Sequence, residues 1–385
     1  MNAIEIPLSG PDIGEAEIEA VVAVLRSSRL SLGPKMAEFE AAMAAYVGVP
    51  HAVAVSSGTA GLHVALLALG IGPGDEVIVP SFTFIAVANA VRYVGARPVF
   101  ADIEETSLNL DEESVEAAVT PRTRALIAVH TFGRPAETAK LAEIARRHGL
   151  KLIEDACEAP GAEIDGRRVG SFGDAAVFAF YPNKQITTGE GGMVVTRDGD
   201  AARRMRALRN HGRYEMGRYD AGGEHSWFDH AELGYNYRLS EMQCALGLAQ
   251  LARVDEILAR REAVARRYGE LLRGDANVLT PAAEVAGRKT SWFVYVVRLA
   301  EGFSQADRDA AMQAMAAAGI ATGRYFAPIH LQPAYAGWSE RELPVTERVA
   351  QRTLALPFFN RISDAQMERV CGELRGALDA RARGR

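Results

Sequence analysis

The chain has 385 residues, is 48% hydrophobic and 24% charged, and carries a formal net charge of −6. That length predicts two domains around a large core, and the apolar and charged fractions are those of an ordinary soluble globular protein. The acidic balance, without any dense Lys/Arg block, argues against a nucleic-acid partner, and no apolar run approaches the ~20 residues that span a bilayer.

The opening stretch, Met1 to Gly10, lacks the basic head and apolar run of a signal peptide. The three cysteines, Cys157, Cys244 and Cys371, are far apart and odd in number. They form neither a disulfide framework nor a metal-ligand spacing. The expectation is a reduced, cytoplasmic protein that binds no metal and no membrane.

Through the first two thirds, short β-branched runs alternate with helical patterns, which predicts an α/β fold with a mostly parallel sheet covered on both faces. The expected strands are 51–55, 76–79, 98–101, 125–129, 152–154, 175–180 and 193–196. Helices are expected over 59–69, 83–93 and 136–148, the last closed by Gly149. The arginines between Arg203 and Arg213 read as a solvated helix face. One long helical pattern runs from Leu239 to about Leu272 and bridges to a smaller α+β domain. That domain is expected to hold a strand over 292–299, helices over 305–318 and 364–380, and a loop-like middle marked by Pro328, Pro333 and Pro344. The division is 1–250 for the large domain, N-terminal segment included, and 251–385 for the small one.

Ligands on such sheets gather at the carboxyl ends of the strands, and four segments fall there. Ser57-Gly58-Thr59 joins a strand to a helix, so its amides can close around a phosphate; an N-cap uses the same residues. Phe84, one loop further round, can stack on a flat ring or pack in the core. Asp155 ends the strand Leu152-Ile-Glu-Asp. Lys184 lies between two buried strands with Gly189, Gly191 and Gly192 just beyond. A lysine held there without a partner would lose hydration, which suits an amine that must be deprotonated to attack. Pyridoxal phosphate (PLP) chemistry needs such an amine for its aldehyde and a carboxylate to keep its pyridine nitrogen protonated. Lys184 and Asp155 fit the two roles.

These residues belong to a longer set that resembles the DegT/DnrJ/StrS family of PLP-dependent nucleotide-sugar aminotransferases. The set comprises Gly33-Pro34 with Phe39-Glu40, Ser57-Gly-Thr-Ala-Gly-Leu-His63, Pro80-Ser-Phe-Thr-Phe-Ile-Ala86 and His130-Thr-Phe-Gly133. It continues through Glu154-Asp-Ala-Cys-Glu158, Lys184 with Thr-Thr-Gly-Glu-Gly-Gly192, Gly234-Tyr-Asn-Tyr-Arg238 and Pro328-Ile-His-Leu-Gln-Pro333. The resemblance covers nearly the whole chain. It implies a fold-type I PLP-dependent transferase with a seven-stranded sheet, and a homodimer with shared active sites. It implies Lys184 as the lysine that bonds to the cofactor and Asp155 as the pyridine-nitrogen partner. Ser57, Gly58 and Thr59 would cradle the phosphate, Phe84 would stack on the ring, and Asn236 would reach the phosphate from the neighbouring chain. His330 would contact substrate. Two positions depart from the family pattern. Ala179 stands where many members bind phosphate with serine, so another contact, Asn183 or a water, would have to substitute. Glu158 stands near the cofactor's phenolic oxygen where many have Gln or His, and could donate there only when protonated.

The expected activity is transfer of an amino group from glutamate to a nucleotide-linked keto-sugar, foremost a 4-keto-6-deoxyhexose, with a 3-keto sugar or cyclitol ketone as alternative acceptors. Arg29, Lys35 and Arg213, with the loop from Gly212 to Phe228, are the expected contacts for the substrate diphosphate. A non-catalytic PLP-fold sensor is the rival of another class. Lys184 argues against the family's sugar dehydratases, which carry histidine in its place.

Overall fold

The computed structural model describes residues 4–214, 230–282, 285–339 and 341–383. Helices α1 (Glu15–Leu25) and α2 (Pro34–Val47) precede an alternating region. It comprises β1 (His51–Val55), α3 (Gly58–Ala68), β2 (Glu76–Pro80), α4 (Ala86–Tyr93), β3 (Arg97–Ala101), α5 (Glu112–Ala118), β4 (Thr123–Val129), α6 (Thr138–His148) and β5 (Lys151–Asp155). A hairpin of β6 (Glu163–Ile164) and β7 (Arg167–Arg168) follows, then β8 (Ala175–Ala179), β9 (Gly192–Thr196) and α7 (Gly199–Leu208). Next come α8 (Glu241–Ala252), α9 (Val254–Leu271), β10 (Val278–Leu279), β11 (Arg288–Lys289), β12 (Tyr295–Leu299) and α10 (Gln305–Ala317). The described chain closes with α11 (Pro344–Arg352), β13 (Thr353–Leu356) and α12 (Asp364–Arg383).

The main sheet has seven strands in the order β1-β9-β8-β5-β4-β2-β3. The pairs from β8 to β3 are parallel, and only β9 runs against its neighbours. Successive side chains point to opposite faces of a strand, and the burial follows that period. Val53, Val55, Val177 and Val194 pack under α3, α4 and α7. Ala52, Ala54, Phe178 and Val195 pack against α2 and α8, while Ile78, Leu126 and Leu152 meet α5 and α6. Both faces are therefore dry, as the near-continuous apolar strands require.

A second, antiparallel sheet, β10-β12-β13, packs with α10 and α12 around Tyr268, Tyr295, Leu354 and Leu374. The first described residues run with this unit and not with the large one: Ile6 is buried in its core and bridges Ile320. The expected single helix over 239–272 is two helices, broken at Arg253 (φ −119°, ψ 19°). The Arg253 guanidinium reaches back to Glu17 at 2.8 Å and Asp12 at 3.3 Å, so the break sits where α1 and its approach are tied down. Helix α4 starts at Ala86 instead of Thr83, because Ser81 is held by residue 330 of the other unit and the chain stays looped through Phe84.

The arginine run on α7 is only partly a solvated face. Arg209 is buried against Glu40 and the carbonyl of Ala54, and Arg206 donates to the carbonyl of Ala52 at 3.0 Å. Among the described residues no helix is long and apolar enough to cross a membrane, and the three cysteines are free thiols.

His63 on α3 lies in a cage of Tyr93, Tyr235 and Tyr237, with Nδ1 3.2 Å from the Tyr237 hydroxyl and Nε2 buried without a hydrogen-bond partner. Burial lowers its pKa from 6.5. The folded state then binds fewer protons than the unfolded one. This contribution to stability is complete above about pH 6.5 and is lost as pH falls below it, at up to about 1.4 kcal/mol per pH unit. Denaturant unfolding near pH 8 and near pH 5 should show a smaller pH loss for His63→Gln than for the wild type; equal losses would remove His63 from the account.

Candidate active site

The carboxyl ends of β1, β5 and β8 meet at one edge of the main sheet, and the expected residues divide cleanly by whether they lie there. Ser57 N-caps α3, its side-chain oxygen accepting from the Ala60 amide at 3.1 Å. The Gly58 and Thr59 amides, one turn earlier, have no intrahelical acceptor and face the edge where the helix dipole is positive. Gly58 is packed so closely that a Cβ would lie 2.8 Å from the Ala179 Cβ and 2.9 Å from the Cys157 Sγ. Gly192 plays the same part from β9, where a Cβ would meet the Ser57 carbonyl oxygen at 2.5 Å. The cradle is thus built from Gly58, Gly192, Ala179 and Cys157, and only small groups fit.

Asp155 ends β5, buried, with Oδ1 accepting from the Cys157 amide at 3.0 Å. Its neighbour Glu154 points to the other face and is structural. It accepts from the amides of Gly170, Phe172 and Gly173 and from His130 Nε2 at 3.1 Å. His130 Nδ1 accepts from the Ala136 amide, which fixes the proton on Nε2. Burial pushes the Glu154 carboxyl up, but these hydrogen bonds outweigh it and hold the group below the usual carboxylate value. Burial and the neighbouring Asp155 push the Cys157 thiol well up, so it stays protonated beside the cradle.

Lys184 is not partnerless. Its Nζ lies 3.5 Å from Glu158 Oε1 and 3.9 Å from the centroid of the Phe293 ring, with 14% of the side chain exposed. Glu158 Oε2 accepts from the Phe132 amide at 2.8 Å. Burial raises the Glu158 carboxyl above its ordinary value; Lys184 and the Phe132 amide oppose this without cancelling it. That direction favours the protonated form in which Glu158 can donate a hydrogen bond. Asn183 leaves its Oδ1 buried without a hydrogen-bond partner.

The second unit supplies the rest of the wall, none of which the sequence reading found. Phe293, Tyr325 and Phe326 stack around Phe132 and Phe82. Arg261, fully buried and lowered to about 10 by burial, donates to the carbonyls of Trp292 and Phe293 and so fixes the ring under Lys184. Gln185 Nε2 donates to the carbonyls of Glu158 and Ser291, and Ser291 pairs through its amide with Gly133. A buried glutamine beside a candidate lysine was the one available sequence signal.

The outer residues sit differently. Phe84 is 61% exposed, which removes the core-packing alternative; Phe82 is the buried ring of that motif. Asn236 is exposed and bridges Asn210. Arg29 is exposed, and Lys35 pairs with Glu38 at 2.6 Å while its amide is capped by Glu241. Among the described residues no hydrogen bond or ion pair joins Arg29, Lys35 or Asn236 to Lys184 within one chain. Arg213 stands at the edge of the described chain, and residues 215–228 of the expected diphosphate loop lie outside it. His330 is buried: Nδ1 is 2.7 Å from Ser81 Oγ and Nε2 3.2 Å from Glu347 Oε1. With both ring nitrogens engaged, it ties the Pro80–Phe84 loop to the 329–331 turn and to Glu347.

An amine, a buried carboxylate and a set of closely packed small residues thus meet on the carboxyl edge of a mainly parallel α/β sheet. The family model for DegT/DnrJ/EryC1/StrS aminotransferases matches residues 11–375. The chain is 43% identical over 371 residues to the GDP-perosamine synthase of Caulobacter vibrioides, covering 96% of this chain and 97% of that one. Among solved structures, DesV of S. venezuelae is 41% identical with 94% of each chain covered and a TM-score of 0.85. A sugar aminotransferase of Streptococcus pneumoniae in its PMP form is 28% identical, covers 98% of this chain and 100% of that one, and has a TM-score of 0.92. The chain belongs to the DegT/DnrJ/EryC1/StrS aminotransferase family, and its cofactor is pyridoxal 5'-phosphate.

Proposed function

We propose that this enzyme moves an amino group from glutamate to a nucleotide-linked keto-sugar, foremost a 4-keto-6-deoxyhexose, in the cytoplasm. The observation that carries the reading is the burial of the Lys184 amine beside Glu158, on the sheet edge that also holds Asp155 and the Gly58 cradle. The 43% identity to a GDP-perosamine synthase supports the sugar class. A 3-keto sugar or a cyclitol ketone is the alternative acceptor.

When bound, PLP supplies an aldehyde for the amines and a protonated pyridine ring that draws electrons from the reacting carbon. The residues fit it: the cradle admits only groups without bulk, and its first-turn amides suit a phosphate. Ser57, Gly58 and Thr59 hold the phosphate, with Asn183 a further contact and Asn236 reaching across from a second copy. Ala179 brings no hydroxyl to it. Asp155 would hold the ring nitrogen protonated, Phe84 would cover the ring, and Glu158 would stand near its phenolic oxygen. Lys184 would be the covalent anchor and the base and acid that carries a proton at Nζ. Arg213, with Arg29 and Lys35, receives the substrate diphosphate.

What the single chain leaves bare supports a homodimer with shared sites. Phe84 at 61% exposure and Leu233 at 83% are large apolar groups that a second copy would cover. Mixing inactive Lys184→Ala and Asn236→Ala dimers should restore activity, because a hybrid regains one intact site only when Asn236 serves the other chain's cofactor. No recovery after verified subunit exchange would place Asn236 outside the site.

The activity itself is tested by half-reactions. Glutamate should discharge the visible band of the cofactor-loaded protein, and one member of a panel of nucleotide keto-sugars should restore it. Cofactor-loaded protein inert to every amino donor would instead favour a sensor.

A further inference from the structure

We propose that Glu158 is the proton acceptor for Lys184: the carboxyl takes a proton from the lysine amine and returns it, so the pair holds one proton between Nζ and Oε1. The transfer breaks one N–H bond and makes one O–H bond. It turns an ammonium and a carboxylate into an amine and a carboxylic acid with no net change of charge.

Three observations carry this. The two atoms are 3.5 Å apart, with both side chains largely shielded from water. The other carboxyl oxygen is anchored by the Phe132 amide at 2.8 Å, which leaves Oε1 as the one turned to the amine. Moreover, the neighbours of the two partners pull in opposite senses, one toward the charged state and one toward the neutral state. The Phe293 face lies 3.9 Å from Nζ and favours the ammonium. Burial and Asp155 favour the neutral carboxyl. The other groups around Glu158 are Cys157 on its own loop, whose thiol stays protonated, Tyr325 of the second unit, and Gln185, which donates to the Glu158 carbonyl at 2.6 Å. Neither the thiol nor the amide can take the proton near neutral pH, which leaves the carboxyl as the acceptor at hand.

Two groups that share a proton titrate as a pair. Between the two steps, the fraction carrying a free amine does not depend on pH, since the proton count is constant. The experiment is pulse labelling of cofactor-free protein with acetic anhydride across pH, reading the Lys184 peptide by mass spectrometry against an internal free amine. The wild type should show a plateau of Lys184 reactivity around neutral pH, then a rise at alkaline pH. Glu158→Gln should replace the plateau with a single titration, rising about tenfold per pH unit below its midpoint. Superimposable single-step curves for both proteins would overturn the proposal. Should Glu158→Gln fail to fold, a wild-type curve without a plateau suffices to reject it. The inference rests on Lys184 being the cofactor's anchor. Borohydride reduction of the loaded protein and peptide mapping test that separately, so a failed plateau and a misassigned lysine give different results.

Discussion

Lys184→Ala is expected to lower turnover by on the order of 10³-fold or more, because the proposed function makes one side chain both the covalent anchor and the proton carrier. The fold should survive: the exchange removes one ion pair at 3.5 Å and one contact with the Phe293 ring, while Arg261 and Gln185 continue to hold the surrounding loops. Lys184→Arg separates charge from chemistry. It keeps a cation facing Glu158 but cannot be deprotonated, so it should fold like the wild type and transfer no amino group. Steady-state amine transfer, with circular dichroism as the control for folding, measures both. Substantial turnover in the arginine variant would mean that another residue carries the proton.

The second large effect is expected at Gly58. An alanine methyl there would sit 2.8 Å from the Ala179 Cβ and 2.9 Å from the Cys157 Sγ, both on packed segments that cannot simply swing away. Forcing a methyl into such a space costs about 1–3 kcal/mol, and here the displaced groups are the floor of the proposed phosphate cradle. PLP affinity should fall by roughly 5- to 150-fold, the same energy expressed as a binding ratio. Fluorescence titration of cofactor-free protein reads it directly. Adding Ala179→Gly to Gly58→Ala should recover part of the loss, since one of the two colliding carbons is then gone. An affinity unchanged by Gly58→Ala would mean that the phosphate binds elsewhere.

Much of the main sheet is legible from local pattern. All seven strands fall within two residues of their expected ends, because a strand dry on both faces announces itself as a short apolar run. The positions of Lys184, Asp155 and Ser57 to Thr59 along the sheet edge are equally legible, since their neighbours in sequence are the turns and strand ends that place them. What escapes is whatever depends on contact across the chain. Phe293, Tyr325 and Arg261 are unremarkable in sequence; they matter because residues over a hundred positions away in Lys184's loop pack on them or because they fix such a neighbour. His330 shows the same limit from the other side, as only the folded chain reveals Ser81 and Glu347 at its two nitrogens. The Asp165-Gly166 turn was open to reading, because that dipeptide suits the two positive φ angles of a tight hairpin, 48° and 77° here. Its strand partner, Arg288–Lys289, was not.

That partner has a mechanical consequence. The ribbon β11-β6-β7 takes two strands from the large lobe and one from the small-lobe connection between β10 and β12. With the Gly133–Ser291 amide pair beside it, the two lobes are stitched by backbone and not merely pressed together. Swinging them apart would tear ladder hydrogen bonds, so a bulky sugar nucleotide has to enter past rigid jaws, through whatever the rim side chains and loops allow.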